Sequence, residues 1–203
     1  GITRFSTVPT DAQRASVPAA QIDSVAAQVL AHYPQANRPG AANNFVRTGV
    51  EPDNQDHFDG RIDHYFGDRH RVFSRYSHFR DNDNPVTPLP DGSGTITSGV
   101  TGHALTRGDS FASEYAWTIS PRSLNQARFG YTRRGLDQTA LAGGGITVPG
   151  LPANSFSSVL PTFLVAGFQQ IGPTPGANSN FTTSVTEFLD TVSLVRGRHT
   201  LKF

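Results

Sequence analysis

Three groups of residues in this sequence have the types that site chemistry needs, and their spacing decides what each can do. The first is "GDSF" at 108–111, which resembles the nucleophile block of the GDSL hydrolases with Ser110 as the attacking serine. A serine hydroxyl needs a base to take its proton, and in those enzymes a later Asp-x-x-His pattern supplies it. The histidine that follows Ser110 is His199, with Arg196 three positions before it, so the partner is missing. The expectation is therefore no enzyme and no catalytic residue. The second group is His57, His64, His70 and His78, at separations of seven, six and eight. Metal-binding pairs sit i, i+4 on a helix or in tight loops, and these spacings fit neither, so neither a metal nor a cofactor is expected. The third is "DNDNPVTPLPDG" at 81–92, which begins like an oxygen-ligand calcium loop. Pro85 stands where a third ligand belongs and no glutamate closes the twelfth position, so a plain acidic turn is the reading. The glycines at 143–145 lack the strand and helix context of a phosphate loop.

What remains is alternation. The stretch "HFDGRIDHYFGDRHRVFSRYSHFR" at 57–80 mixes four histidines and five arginines with aromatic residues almost without a break. Residues 57–66 put Phe58, Gly60, Ile62, His64 and Phe66 on one face of a strand, with His57, Asp59, Arg61, Asp63 and Tyr65 on the other. A polar turn at 67–70 leads to a second strand at 71–80, whose facing stays open because Phe73 and Phe79 share the parity of Arg71 and Arg75. Residues 110–120 set Phe111, Tyr115, Trp117 and Ile119 against Ser110, Ala112, Glu114, Ala116 and Thr118. A turn at 120–123, strands at 124–133 and 181–195, a turn at 196–199 and a last strand at 200–203 complete the pattern.

Ahead of these strands, 1–56 reads as an irregular segment. Residues 1–18 carry Pro9 and Pro18 and no clear period. Residues 19–33 predict one short amphipathic helix with Ile22, Val25, Val29, Leu30 and Tyr33 on its apolar side, stopped by Pro34. Residues 35–56 are a polar connector.

The bulk composition removes several classes. A formal charge of +1 over 203 residues gives no electrostatic case for a nucleic-acid partner. With no cysteine there is no disulfide framework and no thiolate site. No apolar run is long enough for a transmembrane helix, but hydropathy is blind to a membrane β-barrel, whose strands need only about 9–11 alternating residues. The connections between strands run about four residues, about thirty, four, nearly fifty and four, which is the asymmetry of an outer-membrane barrel with short periplasmic turns and long outer loops. The fold expected is all-β: a fragment of an antiparallel transmembrane β-barrel, with about five to six strands over 57–203 and one short helix near the N-terminus. Loops 81–109 and 134–180 would lie outside the cell. Arg61, Asp63, Arg75, Glu114 and Arg128 are the candidate lumen-facing residues, with Arg61, Asp63 and Arg75 expected to pair across adjacent strands.

Several phrases also resemble the Oar-like TonB-dependent transporter family of outer-membrane barrels. They are "STVPT" (6–10), "VAAQVLAHYPQAN" (25–37) with "NNFV" (43–46), "GRIDHYFGDRHRVFSRYS" (60–77), "ISPRSLNQARFGYTR" (119–133) and "FLDTVSLVRGRHTLKF" (188–203). The resemblance implies a barrel of about 22 strands with an amino-terminal plug, taking up substrate with energy from the TonB system. This sequence departs from the family in having no recognisable plug, no TonB box and too few strands to close a barrel. It begins at Gly1 and holds no methionine, so the expectation is a piece of a larger chain. The partners implied are outer-membrane lipid, the TonB system through other parts of the parent protein, and a substrate that the sequence does not name. The alternative is a surface structural or adhesive β-protein that self-assembles through exposed strand edges.

Overall fold

A computed structural model describes residues 1–94, 102–142, 146–150, 160–174 and 176–203. The glycines at 143–145 lie outside them. The alternating segments form a six-stranded sheet of neighbours in chain order: β3 (Asp53–Phe66), β4 (His70–Asp83), β5 (His103–Ser120), β6 (Ser123–Thr139), β7 (Ser179–Arg196) and β8 (His199–Lys202). The three short turns fall at 67–69, 121–122 and 197–198. Gly67 and Gly197 take φ values of 68° and 60° there, backbone that a residue with a Cβ adopts only under strain.

The strands run longer than their apolar alternation. β5 begins at His103 rather than 110, β6 continues to Thr139, and β7 starts at Ser179. The long connections are accordingly 84–102 and 140–178, shorter than the predicted 81–109 and 134–180. "HALTRGD" and "RGLDQT" carry no apolar face, so periodicity is silent where backbone pairing continues.

The N-terminal segment is more ordered than its sequence suggests. Residues 1–18 hold β1 (Ile2–Ser6) and helix α1 (Asp11–Ala15). Thr10 and Gln13 close a capping box on α1: the Thr10 N–H donates to Gln13 Oε1 at 2.8 Å and the Gln13 N–H to Thr10 Oγ1 at 3.3 Å. The single helix predicted over 19–33 divides in two. A 3-10 turn at Ala19–Gln21 is followed by α2 at Ser24–Ala31, because Asp23 leaves the helix to accept from the Val25 N–H (2.8 Å) and the Ala26 N–H (3.3 Å). The connector at 35–56 contains β2 (Phe45–Gly49), which pairs antiparallel with β1 from Ile2↔Gly49 to Ser6↔Phe45. Five residues are too few for a period to declare itself.

The chain divides into two compact units. One comprises 1–54, 82–104 and 137–180; the other comprises 55–81, 105–136 and 181–203. Among the described residues, every buried apolar side chain belongs to the first unit. Val8, Val29, Tyr33, Phe45, Leu160 and Ile171 are part of its core. Tyr33 donates its hydroxyl to the Gln169 carbonyl at 2.8 Å, and burial raises its phenol above the ordinary value.

Arg14 ties α1 to the end of α2. Its guanidinium donates to the carbonyls of Pro9 (3.3 Å), Leu30 (3.2 Å), Tyr33 (3.0 Å) and Pro34 (3.0 Å), and so gathers carbonyls at and just beyond the C-terminal end of α2. Arg14→Met keeps the stem and removes the fork. It is expected to cost about 2 kcal/mol locally, read by hydrogen exchange as amides of 26–33 losing about 30-fold in protection. Unchanged exchange there would mean that the fork is not what holds the helix end.

Candidate functional site

The second unit presents two chemically different faces, set by strand alternation. On one face Asp59 accepts from Arg75 Nη2 at 2.8 Å and from the Ser77 hydroxyl, and lies 2.9 Å from His57 Nε2. Asp63 accepts from Arg61 Nε at 2.6 Å and from Arg71 Nη2 at 2.9 Å. Arg128 Nε donates to Glu114 at 2.6 Å, and Gln126 reaches the other oxygen of the same carboxylate at 3.4 Å. Two rings support the cations: Arg61 lies over Phe73 at 4.5 Å and Arg71 over Tyr65 at 5.6 Å. The open facing of the second strand is thereby resolved, with Phe73 lying among the charges as a platform.

Arg61, Asp63, Arg75, Glu114 and Arg128 all share this face, but their pairing differs from the expected one. Arg75 bonds Asp59 instead of Asp63, and the Arg61–Asp63 contact runs along one strand instead of across two. Asp59 and Arg71 complete the ladder. Both follow the parity of Arg61 and Arg75, yet which carboxylate meets which guanidinium depends on the register fixed by the turn at 67–69. Roughly a third to a half of most of these side chains is exposed, so solvent screens each pair and the ladder adds little to stability. The ladder's physical effect is to hold donors and acceptors in fixed positions along a wettable wall. A groove of about 620 Å³ opens along it, with His57, Arg75, Ser77, Asp81, Thr132 and Arg134 among its walls.

The opposite face carries a band of rings. Phe111, Phe129 and Phe188 form a ladder across β5, β6 and β7, with centroids 6.0 Å and 5.0 Å apart. Toward the short turns, His70 stacks on Tyr115 and Trp117, each at 5.9 Å, with its Nδ1 2.7 Å from the Tyr115 hydroxyl. Toward the other end, Tyr76 donates to Asp109 at 2.6 Å, and His78 Nδ1 lies 2.9 Å from the same oxygen. Apolar side chains on this face stand open, Ile62 at 74% and Phe188 at 79% exposure. A water-soluble sheet of this composition would have to cover them.

The residues weighed for other chemistry are placed accordingly. The four histidines go to four different partners: His57 to Asp59, His64 edge-on to Phe66 at 4.3 Å, His70 to Tyr115 and His78 to Asp109. No group of three or more metal-ligating residues forms among the described residues. In "GDSF", Asp109 joins Tyr76 and His78, while strand alternation turns Ser110 to the other face. In 81–92, Asp91 accepts from the Ser93 N–H and hydroxyl at 2.9 Å each and pairs with His32 at 3.0 Å, and Val86 and Leu89 are buried. That segment is packed chain whose acidic group at 91 is engaged by Ser93 and His32.

No curated protein and no solved structure matches the chain. A family profile does, over residues 3–203. The chain belongs to the outer membrane beta barrel domain family.

Proposed function

We propose that these strands are part of the wall of a TonB-dependent uptake receptor of the Oar-like kind, with Arg61, Asp63, Arg75, Glu114 and Arg128 facing its lumen. The chain belongs to an outer-membrane β-barrel domain family. The observation that carries the finer reading is the division of the sheet into a charged, hydrogen-bonded face and an exposed aromatic face, the buried apolar side chains among the described residues belonging to the first unit. Lipid takes the aromatic face without cost, and water and a polar solute take the other. The phrases "RIDHYFGDRHRVFSRYS" and "RGRHTLKF" support the Oar-like assignment within the family. Catalysis has no part in this reading. The protein would bind and pass a solute, with energy delivered by the TonB system through other parts of the parent chain.

β3 and β8 are the two edges of the sheet, and β3 runs over 14 residues. In uptake these edges continue into more barrel; in the second reading they join copies of a surface assembly. The test is to isolate the parent protein from cells. The uptake reading expects it in the outer-membrane fraction, released by detergent as a discrete particle that binds the periplasmic domain of TonB. Polymer shed from cells without detergent, and no binding to TonB, would establish the assembly reading instead.

A further inference from the structure

The first unit contains a cavity of about 930 Å³, at the upper end of the range typical of small-molecule sites. α1, α2 and the segment around 163–168 line it as a groove open to solvent on one side, and its wall includes Val17, Ile22, Val25, Val29, Phe163 and Phe168. It reaches down to Val29 and Tyr33, which are 9% and 5% exposed, so it is a recess into the core and deeper than a flat docking face.

The polar residues on its wall are engaged by the fold itself. Gln13 receives both the N–H and the hydroxyl of Thr10 through Oε1. Arg14 is held by four backbone carbonyls, Asp23 caps α2, and the Tyr33 hydroxyl is donated to Gln169. Gln21, also on the wall, is a neutral and exposed amide. Arg14 is the cation on the wall, and its guanidinium is taken up by backbone carbonyls, so it is not free to compensate an anion that leaves water. Tyr33 and Phe168, tilted at 59° with centroids 6.1 Å apart, and Phe163 give ring edges and faces to pack against.

We propose that this recess binds a neutral, apolar, ring-containing small molecule. Recognition rests on shape and apolar area, and the site discriminates against anions of the same ring system. The site stands whether or not the parent protein couples to TonB, because equilibrium binding needs no energy source.

The full chain, reconstituted in lipid nanodiscs, is titrated with the neutral fluorophore N-phenyl-1-naphthylamine against empty discs. Ala26 lines the recess and Ala27 does not, and both are exposed on α2. The expected result is saturable binding above the disc background, weakened about tenfold or more by Ala26→Trp, which fills the space, and left within about twofold by Ala27→Trp. Naphthalene should displace the probe, and 1-naphthoate should do so about tenfold less well or worse. The proposal is overturned if the signal equals that of empty discs, as when another chain segment or a second copy fills the recess. It is equally overturned if the two tryptophan variants behave alike or the anion competes as well as the hydrocarbon. None of these failures bears on TonB binding, which is measured separately.

Discussion

Phe129→Arg is expected to keep the chain from assembling in the outer membrane, while Gly130→Arg, one residue along and on the other face, leaves assembly intact. Phe129 is the middle ring of the Phe111–Phe129–Phe188 ladder, so a guanidinium there replaces a ring between two rings and enters hydrocarbon. On the lipid face of a barrel that costs about 2–4 kcal/mol near the midplane. Gly130 faces the charged wall, where an added Cβ would lie 3.7 Å from Glu187 Oε2, so an arginine finds a carboxylate and water. The pair is read by outer-membrane yield and by the heat-dependent gel mobility of the folded barrel. If Gly130→Arg were the damaging change, the two faces would be the reverse of those assigned here.

Asn44→Ala is expected to cost about 2–4 kcal/mol in the first unit, because it strands two buried backbone groups at once. Asn44 is 0% exposed and brackets Val8: its Oδ1 accepts from the Val8 N–H and its Nδ2 donates to the Val8 carbonyl, each at 2.8 Å. The amide thus replaces a strand partner at a point where β1 has ended. Asn37 makes the same bracket on Val46, again with two bonds of 2.8 Å, but in an exposed position. Water replaces that amide when it is removed, so Asn37→Ala should cost only about 0.5–1 kcal/mol. Hydrogen exchange at Val8 and Val46 in the two variants measures both losses. Equal losses would mean that burial does not set the scale.

The division between what is local and what is distant explains which features were legible. A strand's two faces follow from a two-residue period, so Phe58, Ile62 and Phe66 against Asp59, Arg61 and Asp63 declared themselves without coordinates. The short turns did so as well, because Gly67 and Gly197 supply backbone that few residues tolerate. The same logic placed Glu114 and Arg128 on one wall. Where strands lost their apolar side, as in 103–109 and 134–139, the period vanished and the strand ends were misplaced.

The amino acid sequence by itself therefore determined the class of the protein, the faces of its strands and the alternation of short and long connections. Tertiary structure alone decided the pairing of Arg75 with Asp59, the strand β2, the bracket of Asn44 on Val8 and the recess under α2. Each of these joins residues far apart in the chain, Asn44 to Val8 across 36 positions and Tyr33 to Gln169 across 136. No short-range period encodes such a contact. It exists only once the chain has closed the loop and buried the groups that make it.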